Sequence, residues 1–236
     1  MGYCWFNKVC GKKLEICNNC KNVEDCVRYN QMNLQTINAN IPNAHFFNHH
    51  LEKPKDPSSP DWEVYKNLYL LNIEDFVKSG KSMVIEGSNH GNGKTSFAIN
   101  KLLEYLSTQL GKANAGYFIS LPQALTEIKE SITTGESLPY TQIFQNTRLL
   151  VLDDVGHKKY TEYEENWLLR VLTLRQLNGL STIYTMTSKP KMIDGVNYSL
   201  ISLIGDRLYS RIYTGSIHYF LAEGDKRAWP KMEDLQ

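Results

Sequence analysis

Ser88-Asn89-His90-Gly91-Asn92-Gly93-Lys94-Thr95 is the stretch that decides the fold of this chain. An apolar run, Ser82-Met83-Val84-Ile85, precedes it, and a helix-like run from Ser96 to Leu110 follows it. Strand, glycine-rich loop, Gly-Lys-Thr and helix, in that order, make a phosphate-binding P-loop. The flanking strand and helix argue against a chance Lys-Thr in a flexible glycine loop. Backbone N–H groups of such a loop wrap a triphosphate, and the N-terminus of the next helix adds partial positive charge. Lys94 is expected to reach the β- and γ-phosphates, and Thr95 to offer its hydroxyl to Mg2+. Ser88, Asn89, His90, Gly91, Asn92, Gly93, Lys94, Thr95 and Ser96 are therefore the expected cradle for ATP or GTP. One departure is visible: the usual spacing puts a glycine where Ser88 stands, with Gly87 one residue earlier. Either the loop holds an extra residue or serine tolerates the turn.

Further along, Leu149-Leu150-Val151-Leu152-Asp153-Asp154 reads as a buried strand with two carboxylates at its C-terminal end. Open α/β sheets place their ligands at that end. Asp153 is expected to hold Mg2+, directly or through water, and Asp154 to orient and polarise the attacking water. Alone, the run would read equally well as a strand before a solvated acidic turn. Its place downstream of a P-loop favours the catalytic reading. Thr185-Met186-Thr187-Ser188-Lys189 ends another strand, and Thr187 and Ser188 are candidates for contact with the γ-phosphate or its water. The competing reading is a pair of hydroxyls capping a turn before Pro190. Gly205-Asp206-Arg207-Leu208-Tyr209-Ser210-Arg211-Ile212 sets two arginines on one helix face. A permanently charged planar fork at a subunit edge suits a neighbour's γ-phosphate. An arginine pair held by surface acids is the plainer alternative.

The five cysteines, Cys4, Cys10, Cys17, Cys20 and Cys26, cluster at the N-terminus. In a reducing compartment such clustering points to metal ligation rather than disulfides. Cys17 and Cys20 form a tight knuckle, and four of the five thiolates would make a tetrahedral Zn2+ site, with Cys4 the odd one by spacing. A [4Fe–4S] cluster takes the same ligand type, and unligated thiols are the third reading. Net charge is +1 over 236 residues, so any nucleic-acid contact must come from a local basic surface. No apolar run approaches the length of a membrane span. Met1-Gly2-Tyr3-Cys4-Trp5 carries neither a signal-peptide pattern nor a myristoylation motif. A cytoplasmic location and no membrane partner are expected.

Lys53-Pro54-Lys55-Asp56-Pro57-Ser58-Ser59-Pro60 opposes regular structure. It marks the expected boundary between a Cys-rich metal-binding segment with its linker, residues 1–60, and an ATPase domain, residues 61–236. Helices are expected over Arg28–Ala39, Trp62–Val77, Lys94–Leu110, Pro122–Ile132, Glu162–Leu177 and Ile201–Tyr213. Strands are expected over Lys81–Gly87, Gly116–Ser120, Arg148–Val155, Thr182–Ser188 and Ser216–Leu221. This alternation predicts an α/β fold with a mostly parallel sheet and helices on both faces.

Taken together, these blocks resemble the AAA+ ATPase domain of the DnaC-type bacterial and phage helicase loaders and the related IstB-type transposon ATPases. The matching pieces are Gly91-Asn92-Gly93-Lys94-Thr95, Phe118-Ile119-Ser120-Leu121 leading to Leu125-x-x-Ile128-Lys129, Leu150-Val151-Leu152-Asp153-Asp154-Val155-Gly156, Thr187-Ser188, and Arg207-x-x-x-Arg211. Cys4-Trp5-Phe6 and Cys26-Val27-Arg28-Tyr29 also look like small phage replication ATPases with cysteine-rich N-termini. The resemblance implies a P-loop AAA+ core with a five-stranded parallel sheet and no helical lid domain. It implies ATP hydrolysis by Lys94, Asp153, Asp154 and Ser188, with Arg211 acting in trans at a subunit interface of a homo-oligomer. The sensor segment of the family usually ends in Asn, and here Lys189 holds that place. Single-stranded DNA would run along Leu125 to Ile132, with Lys129 as the basic contact and Phe118 or Tyr140 as stacking partners. Lys129 also reads as a solvated helix residue. The implied partner is a replicative hexameric helicase, delivered through the Cys-rich segment. An IstB-type ATPase that remodels DNA for a transposase is the alternative. A non-enzymatic adaptor is disfavoured by intact Lys94, Asp153 and Asp154.

Overall fold

Strands covered on both faces need apolar residues at nearly every position, because neither parity of side chains meets water. The structure, a computed structural model, describes residues 26–42, 57–134 and 140–222. Its strands are β1 (Ser82–Gly87), β2 (Gly116–Ser120), β3 (Leu149–Val155), β4 (Ser181–Thr187), β5 (Lys191–Ile193), β6 (Val196–Tyr198) and β7 (Ser216–Leu221). Five of them pair in parallel in the order β2-β3-β4-β1-β7. Met83, Ile85, Phe118, Val151 and Ile183 enter one core layer, while Val84, Ile119, Leu150, Leu152 and Tyr184 enter the other.

The helices are α1 (Val27–Asn38), α2 (Trp62–Leu70), α3 (Ile73–Lys78), α4 (Lys94–Thr108), α5 (Leu121–Thr134), α6 (Tyr140–Asn146), α7 (Glu162–Leu177), α8 (Leu200–Ile204) and α9 (Asp206–Tyr213). The first four contribute Met32, Leu68, Phe76 and Leu102 to one layer; the others contribute Leu125, Phe144, Leu168, Leu203 and Ile212 to the opposite one. The chain leaves β1 through the P-loop and α4 and re-enters the sheet at β2, beyond β4 and β3. Such a crossover opens a crevice over the C-terminal strand ends.

Two expected helices are each broken in two. Trp62–Val77 is interrupted at Leu71, whose backbone is extended, and Asn72 restarts the chain as the N-cap of α3. Its Oδ1 accepts from Glu74 N and Asp75 N at 3.1 and 3.2 Å, the usual service of an N-cap side chain. Ile201–Tyr213 is divided at Gly205, which has φ +87 and lies against Glu165. A Cβ there would meet the Glu165 carboxylate at 2.5 Å. The expected elements also omitted α6 and the β5–β6 hairpin. The latter turns at Asp194 and Gly195, both at positive φ, the conformation that a two-residue hairpin loop requires.

Residues before the proline-rich stretch pack on the same core. Met32 and Ile41 are buried in it, and Gln35 Nε2 donates to the Gln109 carbonyl at 2.6 Å. The Phe118 N–H donates to the Ala39 carbonyl at 2.8 Å, and Asn40 Nδ2 to the Phe118 carbonyl at 3.1 Å. On the opposite layer Arg175 is 1% exposed. Its guanidinium donates to the carbonyls of Phe144, Thr147 and Ser181 and to Thr182 Oγ1. It thereby ties the end of α6 to the start of β4, and burial pulls its pKa down to about 10.

Candidate nucleotide site

The loop between β1 and α4 owes its shape to three glycines. Gly91 and Gly93 have φ +78 and +91, the left-handed region that a side chain disfavours. Gly87 is needed for space: a Cβ there would lie 2.0 Å from Asn92 Nδ2. Ser88 is not left-handed, so serine costs nothing at the position where a glycine was expected. The Asn92 side chain is buried under the loop and donates to the Leu221 carbonyl at 3.2 Å. Ser88 Oγ donates to the Ala222 carbonyl at 3.2 Å. The loop is thus anchored on the end of β7.

Gly93 caps α4 without any side-chain acceptor for the first-turn amides. Those amides and the helix dipole favour an anion at this place. Lys94 folds back, donating from Nζ to Asn89 O and Asn92 Oδ1, each at 2.8 Å. Burial lowers its pKa, and the negative charges of Asp154 and Asp153 oppose that shift.

Asp153 and Asp154 lie where the β3–β4 register shifts, between Leu152 and Val155. A bulge next to a site re-aims side chains, and Asp154 has φ +59. Asp153 Oδ1 accepts from Thr95 Oγ1 at 2.7 Å and from Thr185 Oγ1 at 2.6 Å. The Asp154 N–H donates to Thr185 Oγ1 at 2.9 Å. The P-loop threonine, the Asp153 carboxylate, the Asp154 backbone N–H and a strand threonine are therefore one hydrogen-bonded unit. The uncapped helix, the curled Lys94 and the Thr95–Asp153 pair fit a triphosphate with Mg2+, which keeps several waters and asks for few protein ligands.

Other expected residues fall elsewhere. Thr187 is buried. Ser188 donates from N and Oγ to the Gly87 carbonyl, at 3.1 and 3.4 Å, so it braces the P-loop strand. His90 is exposed. Arg211 Nη1 donates to Gln176 Oε1, and Gln176 Nε2 to the Arg211 carbonyl, each at 2.9 Å. Arg207 and Arg211 line a cavity of about 420 Å³ with Lys81 and Ser82, at the N-terminal end of β1 and away from the P-loop. Lys129 is exposed and lines a groove with Leu125, Ile128, Lys158, Tyr163 and Trp167. Phe118 is 5% exposed in the core; strand parity turns it inward, and a base has no access to it. The Tyr140 hydroxyl donates to Glu127. Cys4, Cys10, Cys17 and Cys20 lie outside the described residues. Cys26 is half-buried with a free thiol, and among the described residues no group of three or more His, Cys, Asp or Glu is placed to hold a metal ion.

Sequence reasoning missed Thr185 and Lys191. Thr185 sits inside a strand, where threonine reads as a β-former. Lys191 starts a hairpin that was not expected. Its Nζ donates to the Gly156 carbonyl at 3.1 Å, and its charge acts on Asp154 and Lys94. His157 completes this corner, with burial holding its pKa down.

A crystal structure of the DnaC helicase loader is similar in fold to this chain, with a TM-score of 0.58, at 22% identity, over 76% of this chain and 99% of that one. The chain has a DnaC-type fold. The DnaI crystal structure shares this DnaC-type fold at TM-score 0.55 and 18% identity, over 79% of this chain and 94% of that one. AMPPCP-bound DnaA from Aquifex aeolicus follows at TM-score 0.55 and 18% identity, over 73% of this chain and 50% of that one. The DnaC-type fold agrees with the expected AAA+ core and its five-stranded parallel sheet. No family model and no curated protein matches the sequence.

Proposed function

We propose that this chain is a helicase loader of DNA replication that binds and hydrolyses ATP. The observation that carries the reading is the unit of Thr95, Asp153, Asp154 and Thr185 beside Lys94. Gly91, Gly93 and the first turn of α4 would wrap the phosphates, with Lys94 leaving Asn89 and Asn92 to engage them. Mg2+, held by Thr95 and Asp153, would supply neutralising charge on the phosphate oxygens. Asp154, turned by its positive φ, orients a water and polarises it.

Arg211 suits a role in trans. It stands at the far end of β1 from the P-loop, roughly 17 Å of strand away, beyond the reach of its own nucleotide. In a homo-oligomer it would meet the ATP of a neighbour. Lys129, in the groove between α5 and α7, is the proposed single-stranded DNA contact. The Cys-rich N-terminus is the proposed Zn2+ segment and helicase contact; α1, which packs on the core of the nucleotide-site domain, belongs with that domain rather than with a separate unit of residues 1–60. Phage origin fits that composition. No helix among the described residues is long and apolar enough to cross a membrane, and the cytoplasm is the proposed location.

The test is ATP hydrolysis by the full chain with and without single-stranded DNA, together with capture of a purified replicative hexameric helicase. DNA-stimulated hydrolysis that Lys94→Ala abolishes, with ATP-dependent helicase capture, is expected. Hydrolysis stimulated by duplex DNA alone, with capture of a transposase and no helicase, would replace this reading with the transposition one.

A further inference from the structure

The site has a cation that no motif announced. Lys191 begins β5, two residues past the place where the sensor side chain was expected. That place is taken by Lys189, which is exposed. Ser188 is spent on the Gly87 carbonyl, and Thr187 is 3% exposed within β4. Ser188 and Thr187 are thus engaged within the fold, and Lys189 stands in solvent.

Lys191 is differently placed. It is half-buried, and its Nζ lies 3.1 Å from the carbonyl of Gly156, two residues beyond Asp154. An ammonium has three donors, and Gly156 O is its one hydrogen-bond partner among the described residues. Asp154 attracts it, Lys94 repels it, and the His157 ring shares the same corner. The two lysines share the attraction of Asp154 beside an uncapped helix N-terminus. A polyanion bound between them would be attracted by both ammonium groups. Lys94 and Asp154 flank the place where the terminal phosphate must lie if the ATP reading is right, and Lys191 interacts with both.

We propose that Lys191 recognises the γ-phosphate of ATP, a contact that buried Thr187 and Ser188, bonded to Gly87, do not offer. The proposal rests on the ATP-site reading above.

The test compares a non-hydrolysable ATP analogue with ADP, both with Mg2+, by calorimetric titration of the full-length chain. Lys191→Met keeps the length and removes the charge; Lys191→Gln is a second neutral variant, and circular dichroism checks the fold of each. In both, affinity for the analogue is expected to fall about tenfold, with ADP affinity changed less than about twofold. Lys191→Arg should retain most of the preference. Equal losses for both nucleotides, or none for either, would overturn the assignment. Wild-type protein that binds neither nucleotide would sink the ATP reading itself, and the proposal with it. Loss of both nucleotides in Lys94→Ala, with ADP retained in Lys191→Met, supports both.

Discussion

Thr185→Val removes one hydroxyl from the carboxylate end of the site and leaves the shape nearly unchanged. Thr185 is 1% exposed, so no water can readily replace what is lost. Its Oγ1 gives Asp153 a charge-assisted hydrogen bond of 2.6 Å and receives the Asp154 N–H at 2.9 Å. The first is worth about 1.5–3 kcal/mol, and stranding the second donor costs about 1–3 kcal/mol. The two share one atom and do not add fully, so a total near ~3 kcal/mol is the working figure. If about half of it falls on the geometry of the two carboxylates in the transition state, kcat drops about tenfold; if all of it does, about a hundredfold. The remainder should appear as lost stability. Steady-state ATP hydrolysis across a Mg2+ titration, paired with urea unfolding of each variant, separates the two shares. Thr185→Ser keeps the hydroxyl and should stay close to wild type. A Thr185→Val enzyme with kcat within about twofold of wild type, or a Thr185→Ser enzyme equally damaged, would refute the reasoning.

Arg211→Ala should bind ATP normally and lose hydrolysis, and mixing it with Lys94→Ala subunits should restore part of the rate, as read by activity against mixing ratio. No recovery at any ratio would remove the trans role. Arg175→Met strands three buried carbonyls and should lower the urea-unfolding free energy by about 3 kcal/mol, relief from charge burial offsetting part of the loss; a change below about 1 kcal/mol would mean that the guanidinium contributes no net stability. Lys129→Ala should weaken single-stranded DNA binding at low salt and flatten its salt dependence by about one phosphate contact. An unchanged salt slope in a filter-binding titration would make Lys129 an ordinary surface lysine.

Much of this site could be read from the chain because its chemistry is concentrated at strand ends. Asp153 and Asp154 stand where an apolar run stops, and Lys94 and Thr95 where a glycine-rich loop passes into a helix. Of the two readings of Ser88, the tolerated turn is the one the loop adopts, since the loop needs space at Gly87, under Asn92, rather than torsional freedom at Ser88. Thr185 was hidden because a threonine inside a strand satisfies β-propensity before it satisfies anything else. Phe118 was offered to DNA although Ile119 and Phe118 must face opposite layers, and both layers are covered. The breaks at Asn72 and Gly205 were smoothed over by apolar spacing that continues across them. Both carried a local signal, an N-cap asparagine in one case and a lone glycine in the other.

The contact between Ala39 and β2 bears on how this protein should be cut. β2 is one of the two outer strands of the sheet, and an outer strand with unpaired amides invites a second copy to continue the ladder. Here the chain around Ala39 and Asn40 occupies that margin, accepting from and donating to Phe118. The proline-rich stretch looks like the natural place to begin a recombinant fragment. A fragment started there would leave behind α1, Met32 and the cover of the outer strand, and would expose a template for self-association. The usable start of a fragment that keeps the nucleotide site lies ahead of Val27, and the stretch that looks like a hinge in the sequence falls downstream of a seal.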